Sequence, residues 1–183
     1  MGWFENGWGL SLIVFLPLVG AAVVLAVPRA RETAIKALAL GFAAASFVVS
    51  VIVAAGFSYG EAGYQFGTDL SWIPSIGSRF HIAVDGISLP MLVLSTFITL
   101  LSIVYSWKHW PEPHNPKAFL VLMLILATGM AGTFVSLDLV LFFIFFELVL
   151  LPMYFMIGIW GDRNPMRLPG FKKPVETRLY AAI

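Results

Sequence analysis

The sequence predicts an all-α integral membrane protein with five transmembrane helices, the start of a sixth and a small β-hairpin outside the membrane. Three observations carry this. The 183 residues are 60% hydrophobic and only 11% charged, where an ordinary soluble domain is about a quarter charged. Five stretches reach the roughly 20 mostly apolar residues that a helix needs to cross a bilayer core. Ten of the eleven lysines and arginines fall on alternate connections, so one side of the membrane collects the basic residues.

The five spans run over about 8–27 (WGLSLIVFLPLVGAAVVLAV), 37–57, 87–106, 118–136 and 139–160, within a single membrane domain over 1–183. The first is too long for the apolar core of a signal peptide, and no basic residue precedes it. It reads as a retained span. The second is rich in Ala, Gly and Ser, the composition of helices that approach one another closely in lipid.

Charge placement gives the topology. Arg29, Arg31 and Lys36 lie between the first two spans, Lys108 and Lys117 between the third and fourth, and Arg163, Arg167, Lys172, Lys173 and Arg178 after the fifth. The opposite side holds Arg79 with Glu5, Glu61, Asp69, Asp85 and Asp138. By the positive-inside rule the basic side is cytoplasmic, or its organellar equivalent, and the N-terminus is extracytoplasmic.

The connection between the second and third spans is the longest. Phe80, Ile82 and Val84 alternate with His81, Ala83 and Asp85, and Tyr64, Phe66, Leu70 and Trp72 keep the same period on either side of Gly67. Period two is the mark of a half-buried strand. A hairpin over about 64–85 follows, with Asp85-Gly86 turning the chain into the third span; an irregular polar loop is the alternative. At the other end TRLYAAI (177–183) reads as the start of a sixth helix at about Arg178. It is too short to span anything, which implies a piece of a longer membrane protein.

The fifth span holds the chemistry. In FFIFFELVLLPMY (142–154) a glutamate, Glu147, sits among apolar residues. At 1.5 Å per residue it lies about 12 Å into the helix, near the midplane of a hydrocarbon core about 30 Å thick. A charge there costs roughly 2.5–3.5 kcal/mol on insertion scales, and the Glu side chain is too short to snorkel. Either it is neutral, because desolvation disfavours the ionised form, or it faces a protein interior with a cation or water nearby. Both states come within reach if a cation approaches and withdraws, as a proton carrier requires. The structural alternative is a protonated Glu used as interhelical hydrogen-bond glue. Such bonds average only about 0.6 kcal/mol in membranes, and Gln, Ser or Thr would supply them without the ionisation hazard.

Three neighbours are candidates for a supporting role. Pro152 lacks an N–H and so frees the carbonyl of Leu148, one residue beyond the glutamate. Tyr154 lies two turns along the same face, as a polar neighbour, an aromatic anchor or plain packing. Asp138 precedes the span on the opposite face, where an acid at a helix N-terminus complements the dipole; a solvated helix-end role is the simpler reading.

Other chemistries find no support in the sequence. There is no cysteine, so the chain itself offers no thiolate for iron–sulfur or haem attachment. His109 and His114 flank a Trp-Pro-Glu-Pro turn without matching metal-ligand spacing. Phosphate-binding loops, nucleophile elbows and paired catalytic carboxylates are missing, and a net charge of +1 gives no sign of nucleic acid. Cofactor and metal sites are therefore expected to be none in this chain.

The run SLDLVLFFIFFELVLLPMYFMIGIWG (136–161) resembles the antiporter-like membrane subunits of respiratory complex I. Its Pro-Met-Tyr and closing Ile-Trp-Gly are most similar to the branch of NADH-quinone oxidoreductase subunit M and mitochondrial subunit 4. FHIAVDGIS (80–88) with Leu89-Pro90 is similar to that family's turn before its third helix, and 177–183 to the start of its sixth. The resemblance implies a proton-translocating fold of about fourteen helices, with the family's fifth-helix glutamate at Glu147. Its pairing lysine is expected on the seventh helix, and further carriers later. It also implies other complex I membrane subunits and lipid as partners, with NADH, FMN, Fe–S clusters and quinone held in partner subunits. The implied location is the bacterial inner membrane, or the mitochondrial inner membrane as an alternative. A subunit of a multisubunit Na+/H+ antiporter of the same fold, or a non-transporting assembly subunit, are the rival functions.

Overall fold

A computed structural model describes residues 8–61, 63–110 and 114–161. In chain order these form α1 (Trp8–Ala26), α2 (Glu32–Ala55), strands β1 (Gln65–Ile73) and β2 (Ser78–Val84), then α3 (Ser88–Ser106), α4 (Pro116–Val135) and α5 (Leu139–Trp160). All five helices are long and apolar enough to cross a membrane. The basic residues after 161 and the sixth helix expected near Arg178 lie outside the described residues.

The helix ends follow local chemistry. α2 begins at Glu32 rather than at the apolar run from Ala37, because Glu32 and Lys36 pair one turn apart and carry the helix out into a polar setting. Asn115 caps α4, its side-chain oxygen accepting from the Ala118 N–H, with Pro116 at the first helical position where its missing N–H costs nothing. Asp85 organises the start of α3: its carboxylate accepts from the Ile87 and Ser88 N–H groups, and Ser88 Oγ accepts from the Asp85 N–H.

At the basic end the connections lock together. Lys117 Nζ donates at 2.8 Å to both the Leu25 and Val27 carbonyls, closing the C-terminus of α1 from the start of α4. A cation there also suits the negative end of the helix dipole. His114 meets Glu32 at 3.3 Å, and the Lys36 ammonium stands 4.7 Å from the Trp110 ring centre.

α1 to α4 pack into a bundle with two apolar layers. Leu10, Ile13, Val14, Val53, Leu92 and Val135 belong to the hairpin-side layer, and Ala21, Val24, Ile103, Leu120 and Leu124 to the basic-side layer. Between them lies a belt of buried hydroxyls: Ser46, Ser50, Thr96, Thr99 and Thr128. Each is satisfied, as buried polar groups must be in lipid. Ser50 and Thr96 join α2 to α3 at 2.9 Å. Ser46 donates at 2.9 Å to the carbonyl of Ile13, the acceptor that Pro17, inside α1, leaves without its helical partner.

The connection between α2 and α3 is an antiparallel hairpin, not an irregular loop. A 3-10 turn over Pro74–Ile76 and Gly77 at φ 70° reverse the chain. The register slips between Gln65 and Thr68, where Phe66 takes φ 57°, a strained value for an aromatic residue. This is where Gly67 breaks the sequence alternation. β2 departs from the half-buried pattern, because Ile82, Ala83 and Val84 are all buried. Ile82 and Val84 enter the bundle core, Ala83 lies against Gly67 across the hairpin, and the segment before α5 pairs alongside through a Leu137 N–H to His81 carbonyl bond of 2.9 Å.

Candidate functional site

α5 owes its placement to two glycines of α4. A Cβ on Gly132 would collide with the Phe145 ring, and one on Gly129 would fall 2.9 Å from the Val149 backbone nitrogen. Only the absence of side chains there lets the two helices approach so closely. Leu141, Phe145, Leu148 and Pro152 (spaced four, three and four) consequently face the bundle, and Leu141, Phe145 and Pro152 are buried. At the far end Trp160 meets Phe119 edge to face at 5.3 Å.

At 100° per residue, Glu147 is then turned away from that contact stripe. It is exposed, along with Phe143, Phe146, Leu150, Leu151 and Tyr154. Among the described residues it has no hydrogen-bond or ion-pair partner. The acid thus stands mid-helix on an apolar face that α1–α4 leave uncovered. An uncompensated carboxylate facing hydrocarbon is costly, so this face calls for a polar or cationic complement.

The supporting candidates divide. Tyr154 shares the uncovered face with Glu147 and packs its ring on Phe155 at 5.7 Å. Pro152 is buried on the opposite stripe, one turn from the Leu148–Val149 backbone against which Gly129 packs. Asp138 is not brought near Glu147. It is the N-cap of α5, accepting at 3.0 Å from the Val140 and Leu141 N–H groups. It also accepts from the Ser78 hydroxyl at 3.0 Å and the Arg79 N–H at 3.1 Å. The solvated helix end expected there is a four-donor latch between hairpin and α5. Those donors hold its carboxyl below the ordinary value of 3.8, the Leu141 N–H first and the Arg79 N–H second.

The sequence reading singles out neither Gly129 and Gly132 nor the Ser78–Asp138 latch. The three-residue glycine spacing in an apolar helix is a readable sign of close packing; the latch has no comparable signal, since its partners lie 60 residues apart. Among the described residues no three His, Asp or Glu side chains come together as metal ligands would.

Comparison with known proteins places the bundle. The family described as "NADH-ubiquinone oxidoreductase chain 4, amino terminus" matches residues 10–133, which is α1 through most of α4. The chain belongs to the NADH-ubiquinone oxidoreductase chain 4 family. NADH-quinone oxidoreductase subunit M of Rhodobacter capsulatus is 40% identical over 159 residues, covering 85% of this chain and 30% of the relative. NADH-ubiquinone oxidoreductase chain 4 of Mycosarcoma maydis is 38% identical, covering 83% and 31%. The chloroplastic NAD(P)H-quinone oxidoreductase chain 4 of Chara vulgaris is 35% identical, covering 85% and 31%. The chain therefore spans under a third of the length of these chain 4 relatives. Glu147 lies beyond the family match over 10–133.

Proposed function

We propose that this chain supplies the first helices of a proton-translocating membrane subunit of NADH-quinone oxidoreductase, with Glu147 as a proton carrier. In this reading NADH, FMN, Fe–S clusters and quinone are handled by partner subunits, and this chain works on protons alone. The observation that carries it is an ionisable side chain midway along an apolar helix, on the face its own bundle leaves open. Family membership supports it, since the chain 4 relatives are named as subunits of NADH- or NAD(P)H-quinone oxidoreductases.

The mechanism is electrostatic. A cation brought against the open face of α5 favours ionised Glu147, and its withdrawal favours the protonated form. Alternating the two states biases proton uptake and release, provided a bistable element moves the cation. Pro152 and Tyr154 act as positioning residues in this scheme, through the frame of α5 and its open face respectively.

The test is Glu147→Gln in the full-length subunit within its complex. The amide keeps the shape but cannot give up a proton, so assembly and subunit content should survive while NADH-driven proton pumping into vesicles falls at least tenfold. Pumping at the wild-type proton-to-electron ratio would remove the carrier role.

A further inference from the structure

A groove of about 900 Å³ opens between the basic-side halves of α3 and α4. Its wall is graded. Ile98, Leu101 and Met123 line the deeper part, and Tyr105, Lys108 and His109 the rim. Ile98 to Ser106 covers about 12 Å along the helix axis, close to the depth of one leaflet of a hydrocarbon core about 30 Å thick. Ile98 starts about 15 Å from the hairpin-side end of α3, near the midplane. The groove therefore runs from mid-membrane to the basic-side interface.

Its polarity follows the same gradient. Two serines lie along the wall, but Ser102 Oγ donates to the Ile98 carbonyl and Ser106 Oγ to the Ser102 carbonyl, both at 2.8 Å. With their hydrogens committed to their own helix, they leave the deep wall effectively apolar. At the rim the His109 ring stacks on Tyr105, centroids 4.9 Å apart and planes 9° from parallel. Lys108 is exposed there and has no ion-pair partner among the described residues. Among the described residues the groove lining contains no carboxylate.

We infer that this groove holds an anionic phospholipid of the basic-side leaflet, an acyl chain along Ile98, Leu101 and Met123 and its phosphodiester at Lys108, His109 and the Tyr105 hydroxyl. The choice of occupant rests on charge complementarity and depth: a cationic rim, with no carboxylate among the described residues, sits above an apolar groove one leaflet deep. A lysine near the membrane surface attracts anionic lipid by about 1 kcal/mol, about fivefold in affinity. The site is independent of Glu147, which lies on α5.

The experiment uses the full-length protein in its purified complex, exchanged into nanodiscs of phosphatidylcholine with one-fifth phosphatidylglycerol. A photo-crosslinking residue at position 101 should capture phosphatidylglycerol above its share of the bilayer. Lys108→Gln should lower that capture about fivefold, and raised salt should lower it in the unmodified protein. Met123→Trp should fill the channel and abolish capture with Lys108 untouched, and Arg29→Gln, outside the groove, should leave capture unchanged. Capture of the two lipids in bulk proportion, insensitivity to Lys108→Gln, or a crosslink to polypeptide instead of lipid would each overturn the assignment.

Discussion

The hydroxyl of Ser46 stands 2.9 Å from the carbonyl of Ile13, four residues before Pro17. A proline inside a buried membrane helix should leave an orphaned acceptor. Here a side chain from the neighbouring helix supplies the missing donor, so the defect in α1 becomes a joint between α1 and α2. Both partners are buried.

The joint predicts a non-additive mutation pair. Ser46→Ala should destabilise the full-length protein by about 1–3 kcal/mol, the cost of a buried acceptor left unsatisfied. In a Pro17→Ala background the helix can supply the residue 17 N–H to Ile13, and the same Ser46→Ala change should cost less than half as much. Thermal or denaturant unfolding of the four proteins gives the coupling. Equal costs in both backgrounds would show that the bond does not depend on the proline.

The second prediction concerns the α4–α5 contact. Gly132→Ala places a methyl into the Phe145 ring, and overpacking of this kind costs about 1–3 kcal/mol. Phe145→Ala in the same chain should recover part of that loss by making room. Because the contact sets which way Glu147 points, the carrier role proposed for Glu147 requires Gly132→Ala to reduce proton pumping as well, while Gly158→Ala, where an added Cβ meets nothing, should leave pumping near wild type. Vesicle pumping assays on the two variants make the comparison.

A third prediction follows from Asp138. Its native value lies below 3.8, so the unfolded state binds more protons than the native state. The latch is therefore fully present above about pH 3.8 and is lost as pH falls below it through the lower native value. Amide exchange at Val140 and Leu141 should accelerate across that acid range, together with exchange in β2. Asp138→Ala should show the same acceleration at neutral pH and lose the acid step. An acid step that persists in Asp138→Ala would assign the transition to another carboxylate.

What could be read from the chain alone divides along physical lines. The spans are legible because a bilayer imposes one demand that any stretch meets or fails by itself: some 20 apolar residues with their backbone groups satisfied internally. Depth follows from the 1.5 Å rise, which places Glu147 mid-helix without any knowledge of its neighbours. The reversal at 65–84 is announced by period-two alternation, and Gly67 marks its irregularity.

The facing of α5 could not be read in this way. Its apolar residues run all around the helix, so no polar stripe betrays which side is inward. That decision falls to α4, where Gly129 and Gly132 admit the backbone and ring of α5 and turn Glu147 to the open side. The pairing of Ser46 with Ile13 and the latch of Asp138 onto Ser78 and Arg79 are likewise tertiary, made between groups 33 and about 60 residues apart. A local pattern can state that a group needs a partner. Only the packed bundle decides which partner arrives, because a hydrogen bond is satisfied by proximity in space and the chain's order says little about that.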